Sequence, residues 1–200
     1  MRIFNHGVCI FAAAVLLTSC GKQERAEAER FHDALAAKQA NAASADRIES
    51  EMVTNARAWC GAITAGGGGK GVELDQNASV AAELAKSAVA VSTELSAIRQ
   101  AVDAETLTAE FPRNLRATLI TQLTLRQRYL QDVRSVLEDS AAQFRAYAQS
   151  RAYNGDTYPE GMAKLAGMLG TYKPPEDAVG SAITALASKY NLPPRPPART

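Results

Sequence analysis

Large apolar residues recur along this chain at alternating steps of three and four, the spacing of one face of an α-helix. Leu84, Ala88, Val91, Leu95, Ile98 and Val102 form one such seam. Leu119, Leu123, Leu130, Val133, Leu137, Phe144 and Tyr147 form a second, interrupted by Arg126 and Ser140. Two heptad seams in succession predict two long helices that face each other. The connection falls at residues 103–111, and Pro112 suits the first turn of the second helix, where its missing N–H costs nothing. That helix is predicted from Arg113 to about Ala152, and Asn77 or Ser79 is the expected cap of the one before it.

An earlier helix is predicted from about Arg47, where Asp46 and Glu49 have the spacing of a capping box, to about Trp59. Its apolar face is Ile48, Met52, Ala56 and Trp59. The glycine-rich stretch over residues 61–71 reads as a loop, since each glycine inside a helix costs about 1 kcal/mol relative to alanine. Near the C-terminus, Thr157 and Glu160 frame a second capping box ahead of Met162, Leu165 and Leu169. A last helix opens at Pro174-Pro175-Glu176-Asp177, buries Val179, Ile183, Leu186 and Tyr190, and stops at Asn191. Strand patterns are nearly absent. The fold expected is all-α: an elongated antiparallel helical hairpin or bundle with heptad seams, followed by two short helices.

The N-terminus follows a different pattern. Arg2 precedes an apolar run from Val8 to Leu17, which Leu17-Thr18-Ser19-Cys20 closes with small residues and a cysteine. The run is shorter than the roughly 20 residues a membrane span needs and has the form of a secretory signal. Leu17-Thr18-Ser19-Cys20 resembles the lipobox of bacterial lipoproteins. The resemblance implies that Cys20 becomes the first mature residue and carries a diacylglyceryl group on sulfur and an acyl chain on its amino group. Two or three chains hold a protein on a bilayer where one does not. In that family an aspartate after the cysteine marks inner-membrane retention. Gly21 stands there instead, so the implied destination is the outer membrane, facing the periplasm. The domain plan is a signal peptide at 1–19, a lipidated polar tether at 20–45, a helical bundle at 46–190 and a proline-rich disordered tail at 191–200.

Composition adds exclusions. Removal of residues 1–19 from the 200 leaves 181, enough for one domain, and takes away one of 22 basic residues against 21 acidic ones. A balanced charge gives no argument for nucleic acid, and the arginines from Arg113 to Arg151 are spread over several helical faces. Cys60 would be the one thiol left after processing, so it is either a small packed hydrophobe or a candidate intermolecular thiol.

No catalytic set, metal site or cofactor site is expected. Gly66-Gly67-Gly68-Gly69-Lys70-Gly71 departs from a phosphate-binding loop, with Thr64 in place of the first glycine and Gly71 in place of the hydroxyl. Glu29 and His32 have the Glu-x-x-His spacing of carboxylate-bridged metal bundles, but such sites need a second copy. With His6 in the signal, His32 stands alone and reads as solvated on the tether. A serine or cysteine nucleophile would likewise have only His32 as a histidine base.

The functional expectation is a lipid-anchored, non-enzymatic envelope protein whose bundle makes protein contacts or self-associates through its heptad seams, with Arg126 setting register if it faces a partner. The alternative is a carrier of a small apolar ligand or lipid, with its cavity among Trp59, Phe144, Tyr147 and the short helices. The plan is similar in outline to the trimeric coiled-coil murein lipoproteins, but their C-terminal lysine is absent where this chain reads Ala198-Arg199-Thr200.

Overall fold

The computed structural model describes residues 7–66, 72–150, 159–173 and 177–193, with side chains from residue 21 onward except at residues 66 and 72. The described residues form six helices: α1 (Gly7–Ala36), α2 (Gln39–Gly66), α3 (Val72–Ala104), α4 (Glu110–Gln149), α5 (Gly161–Thr171) and α6 (Ala178–Tyr190). They make four rods, because α1 continues into α2 and α5 into α6. Ala37 and Lys38 interrupt the first rod, yet their backbone N–H groups still bond to Asp33 and Leu35 at 3.0 and 2.9 Å.

Side-chain bonds along the rods give their directions. Trp59 Nε1 donates to Asn77 at 3.0 Å, Asn41 Nδ2 to Glu94 at 2.6 Å, and the Thr108 hydroxyl to Glu27 at 2.6 Å. The α1–α2 rod is therefore antiparallel to α3 along its length. Gln127 Nε2 meets Ser96 at 3.0 Å, which runs α4 back against α3. Arg57 donates to the Leu169 carbonyl at 2.6 Å, Tyr172 to Glu49 at 2.6 Å and Tyr190 to Glu24 at 2.5 Å, so the α5–α6 rod descends beside α1–α2. The result is an up-down-up-down four-helix bundle. Its forty-residue α4 is about 60 Å long at 1.5 Å per residue.

The expected all-α fold is present and the heptad seams are its interior. Leu84, Val91, Leu95, Ile98 and Val102 of α3 are buried with Leu119, Leu123, Leu130, Val133 and Leu137 of α4. The seams are spent on each other within one chain. Self-association through them would require the bundle to open. Of the two breaks in the second seam, Arg126 faces Glu49 of the same chain, and Ser140 is where α5 closes on α4. A Cβ added to Gly161 would lie 2.8 Å from the Ser140 hydroxyl oxygen, so that approach requires glycine.

The stretch 20–45 is not a tether. It is helical apart from Ala37 and Lys38, and Ala28, Phe31, Leu35, Ala42 and Ala45 lie in the core. Its polar look arises because alanine does much of the packing and because two polar residues, Glu27 and His32, face inward. His32 is not solvated: it is 1% exposed, with Nδ1 3.5 Å from the Asp33 carboxylate and Nε2 buried without a partner.

Several boundaries differ for local reasons. The helix expected from Arg47 to Trp59 starts at Gln39 and ends at Gly66, gaining a buried turn at Ile63. α3 starts at Val72, not after Asn77 or Ser79; Leu74 adds core, and Asn77 is taken by Trp59. Glu160 makes no side-chain cap for α5, and Thr157 lies outside the described residues. α6 is capped by the Asp177 carboxylate, which accepts from Gly180 N–H at 2.8 Å, and ends at Asn191 in the left-handed region (φ 51°). Leu192 is still buried, so the packed unit extends past residue 190; residues 1–6, 67–71 and 194–200, with most of the glycine run, the signal's start and the proline tail, lie outside the described residues.

Glu27 caps α4 from another helix. Ala109 at the α4 N-cap has no side chain to offer, and the Glu27 carboxylate accepts the N–H groups of Thr108 and Ala109 at 2.8 and 2.9 Å. The Ala109 N–H first, then the Thr108 hydroxyl, hold the Glu27 carboxyl down at about 2 against an ordinary 4.5. A lowered carboxyl pKa means this stabilisation is complete above about pH 4.5 and is lost as pH falls toward 2. Glu27→Gln is expected to cost about 2 kcal/mol at pH 7. Urea unfolding between pH 2 and 7 should show a shallower acid loss in the variant, and superimposable pH profiles would rule the cap out.

Candidate functional site

An apolar-edged groove of about 480 Å³ lies between the middle of α4 and the join of α5 and α6. Leu123, Leu125, Tyr129, Tyr172 and Ala178 line it, with Glu49 and Arg126 in its floor. Leu125 is 59% exposed there although leucines at other positions of α4 are core. Helical spacing explains the difference: Leu123 and Leu130 lie one turn pair apart on the buried stripe, and Leu125 is rotated off it.

The floor is an ion-pair network. Glu49 is 1% exposed, and its Oε2 accepts from Arg126 Nε at 2.5 Å. Arg126 Nη2 also contacts that carboxylate and lies 2.7 Å from Asp46 Oδ1. The other Glu49 oxygen accepts from the Tyr172 hydroxyl at 2.6 Å. Asp46 and Glu49 are thus not a capping box. Three residues apart on α2, they share a face, and that face is turned to Arg126 instead of to their own helix end. Burial, then the bond to Glu49, pushes the Tyr172 hydroxyl well above the usual phenol range. Tyr129 stacks on Tyr172 with centroids 5.0 Å apart, and burial raises its hydroxyl to about 12. Both phenols therefore stay protonated at neutral pH, and the charged groups are committed to one another. Arg57 completes the support by donating to the Leu169 and Tyr172 carbonyls, which satisfies the end of α5.

The sequence pattern does not predict the groove, and its visible trace there is Arg126 breaking an apolar stripe. Among the described residues, the space between Trp59 and Phe144, where a cavity is expected, is filled by their own rings. Trp59 and Phe144 pack ring against ring at 6.0 Å, and Phe144 is fully buried. Cys60 lies beside Trp59 in the core, where burial raises its thiol to about 11, so it packs as a hydrophobe and is not presented for an intermolecular bond. The Cys20 side chain lies outside the described residues; its backbone belongs to α1. Glu29, one turn from His32, pairs with Arg25 at 3.1 Å on the surface, so the Glu-x-x-His spacing gathers no ligand pair. Among the described residues no group of three or more His, Cys, Asp or Glu is placed to hold a metal ion.

Removing one member of the buried pair leaves the other uncompensated, so Glu49→Leu or Arg126→Met alone should cost about 3–5 kcal/mol, whereas the double variant should recover most of it. Chemical unfolding of the four proteins reads the coupling, and additive losses would disprove it. A thiolate pKa of about 11 against 9.0 predicts roughly 100-fold slower native reaction of Cys60 with a thiol reagent than in urea. A rate unchanged by urea would contradict its burial. No protein-family model matches the chain, and no curated protein or solved structure is detectably similar to it.

Proposed function

We propose that this chain is a lipid-anchored, non-enzymatic protein of the cell envelope, acylated at Cys20 and held on the outer membrane facing the periplasm, whose bundle binds a segment of a partner protein. The observation that carries the binding reading is the groove beside Leu125: an open furrow with an exposed leucine and stacked tyrosines over a floor whose charges are already neutralised. Small apolar ligands prefer enclosed pockets that bury most of their surface. An open, aromatic-edged furrow suits an apolar side chain presented by another protein. This favours protein contact over ligand carriage, whose expected cavity is filled by Trp59 and Phe144. The anchoring reading rests on the lipobox-like Leu17-Thr18-Ser19-Cys20 and on Gly21.

A photo-crosslinking amino acid at Leu125 should capture a discrete partner in intact cells, and the same probe at exposed Gln149 should not. Equal or absent capture from a folded protein would reject the groove as the binding surface. Cys20→Ala should leave the membrane fraction and lose incorporated palmitate, and an unchanged distribution would reject the anchor.

A further inference from the structure

We infer that the bundle stands directly on a phospholipid surface, seated by the end that carries Leu107, Phe111 and Tyr190, with its long axis away from the bilayer. This rests on the proposed acylation of Cys20. The anchor and the fold are one continuous helix: α1 runs without a break through residue 20 to Ala36. Glu24 accepts the Tyr190 hydroxyl at 2.5 Å, and Glu27 holds the first N–H groups of α4. From residue 20 to Glu24 is four residues, about 6 Å of helix rise. Residue 20, the proposed point of acylation, therefore lies about one turn of chain from the packed end of the bundle. No slack remains for the body to hang away from its lipid.

That end is built for an interface. Phe111 and Tyr190 meet edge to face at 6.0 Å, and the Lys189 ammonium lies 4.1 Å over the Phe111 ring. Phe111, Tyr190 and Leu107 are all half-buried, each with surface left over. Aromatic rings with lysine stems beside them are the side chains that settle at the headgroup layer. The nearest carboxylates are spent inside, Glu24 on Tyr190 and Glu27 on Thr108 and Ala109. Among the described residues, Asp103 pairs with Arg99 and Arg116 at 3.4 and 3.5 Å, and Lys22, Lys189 and Arg113 stand against Glu105 and Glu110, so the charges at this end are balanced. With this end down, Leu125, fourteen residues along α4 from Phe111, is held about 21 Å above the surface.

The test uses the lipidated full chain in phosphatidylethanolamine/phosphatidylglycerol vesicles, with a fluorescent amino acid at Asn114 or Gln149 and an energy acceptor on the lipid headgroups. The positions are thirty-five residues apart on α4, about 52 Å. Several-fold stronger transfer from Asn114 than from Gln149 is expected. Equal transfer from both, in a sample whose mass shows the acyl groups on Cys20, overturns the seating and leaves the anchor standing. A mass without acyl groups at Cys20 overturns the anchor reading and the seating with it.

Discussion

The buried contact of Glu49 with Arg126 constrains everything around it. A carboxylate 1% exposed to water is tolerable only with a partner of opposite charge and its remaining lone pairs satisfied. Both conditions are met by groups from other rods: Arg126 from α4, and Tyr172 from the end of α5. One anion thus fixes the axial position of three rods. Apolar seams alone would tolerate a slip of a turn, since leucine replaces leucine. A slip here would strand a charge. The Tyr172 hydroxyl and the stacked Tyr129 inherit their positions from the same anion, and so does the groove above them.

At one end of the bundle a second carboxylate acts in the same way. Glu27 supplies the cap that Ala109 lacks, so the start of α4 is specified by a residue more than eighty positions earlier. At the other end Trp59 packs against Phe144, and the indole N–H finds its partner in Asn77. Between the ends, alanines at 28, 42, 45, 56, 78, 81, 85 and 88 let the first rod and α3 run close together.

Local patterns in the sequence were sufficient for the parts that local physics decides. The seams of α3 and α4 follow from leucine, isoleucine and valine at steps of three and four, and the stop at Asn191 follows from a residue that accepts φ 51° ahead of Pro193. The first rod reads as a tether because its inward face carries Glu27 and His32, which signal solvent unless their distant partners or surroundings are known. Asp46 and Glu49 read as a capping box because an i, i+3 acidic pair serves equally well as a cap or as a counter-ion, its role here. The groove is assembled from α4 and a join some fifty residues later, and no window of sequence contains both. Its one local trace is the charged Arg126 within an apolar stripe, which signals a partner without saying whether that partner lies in the same chain, as Glu49 does.

The pairing of the outermost rods also fixes an order of assembly. α2, α3 and α4 each pack on the helix that precedes or follows them, so their contacts can form as the chain lengthens. Among the described residues α1 finds its main neighbour in α6, and Glu24 accepts from Tyr190, 166 residues later. In a chain delivered from its N-terminus, α1 is the first helix to arrive and the last to be covered. The exposed side of α1 thus stays uncovered until α6, near the far end of the chain, has been made.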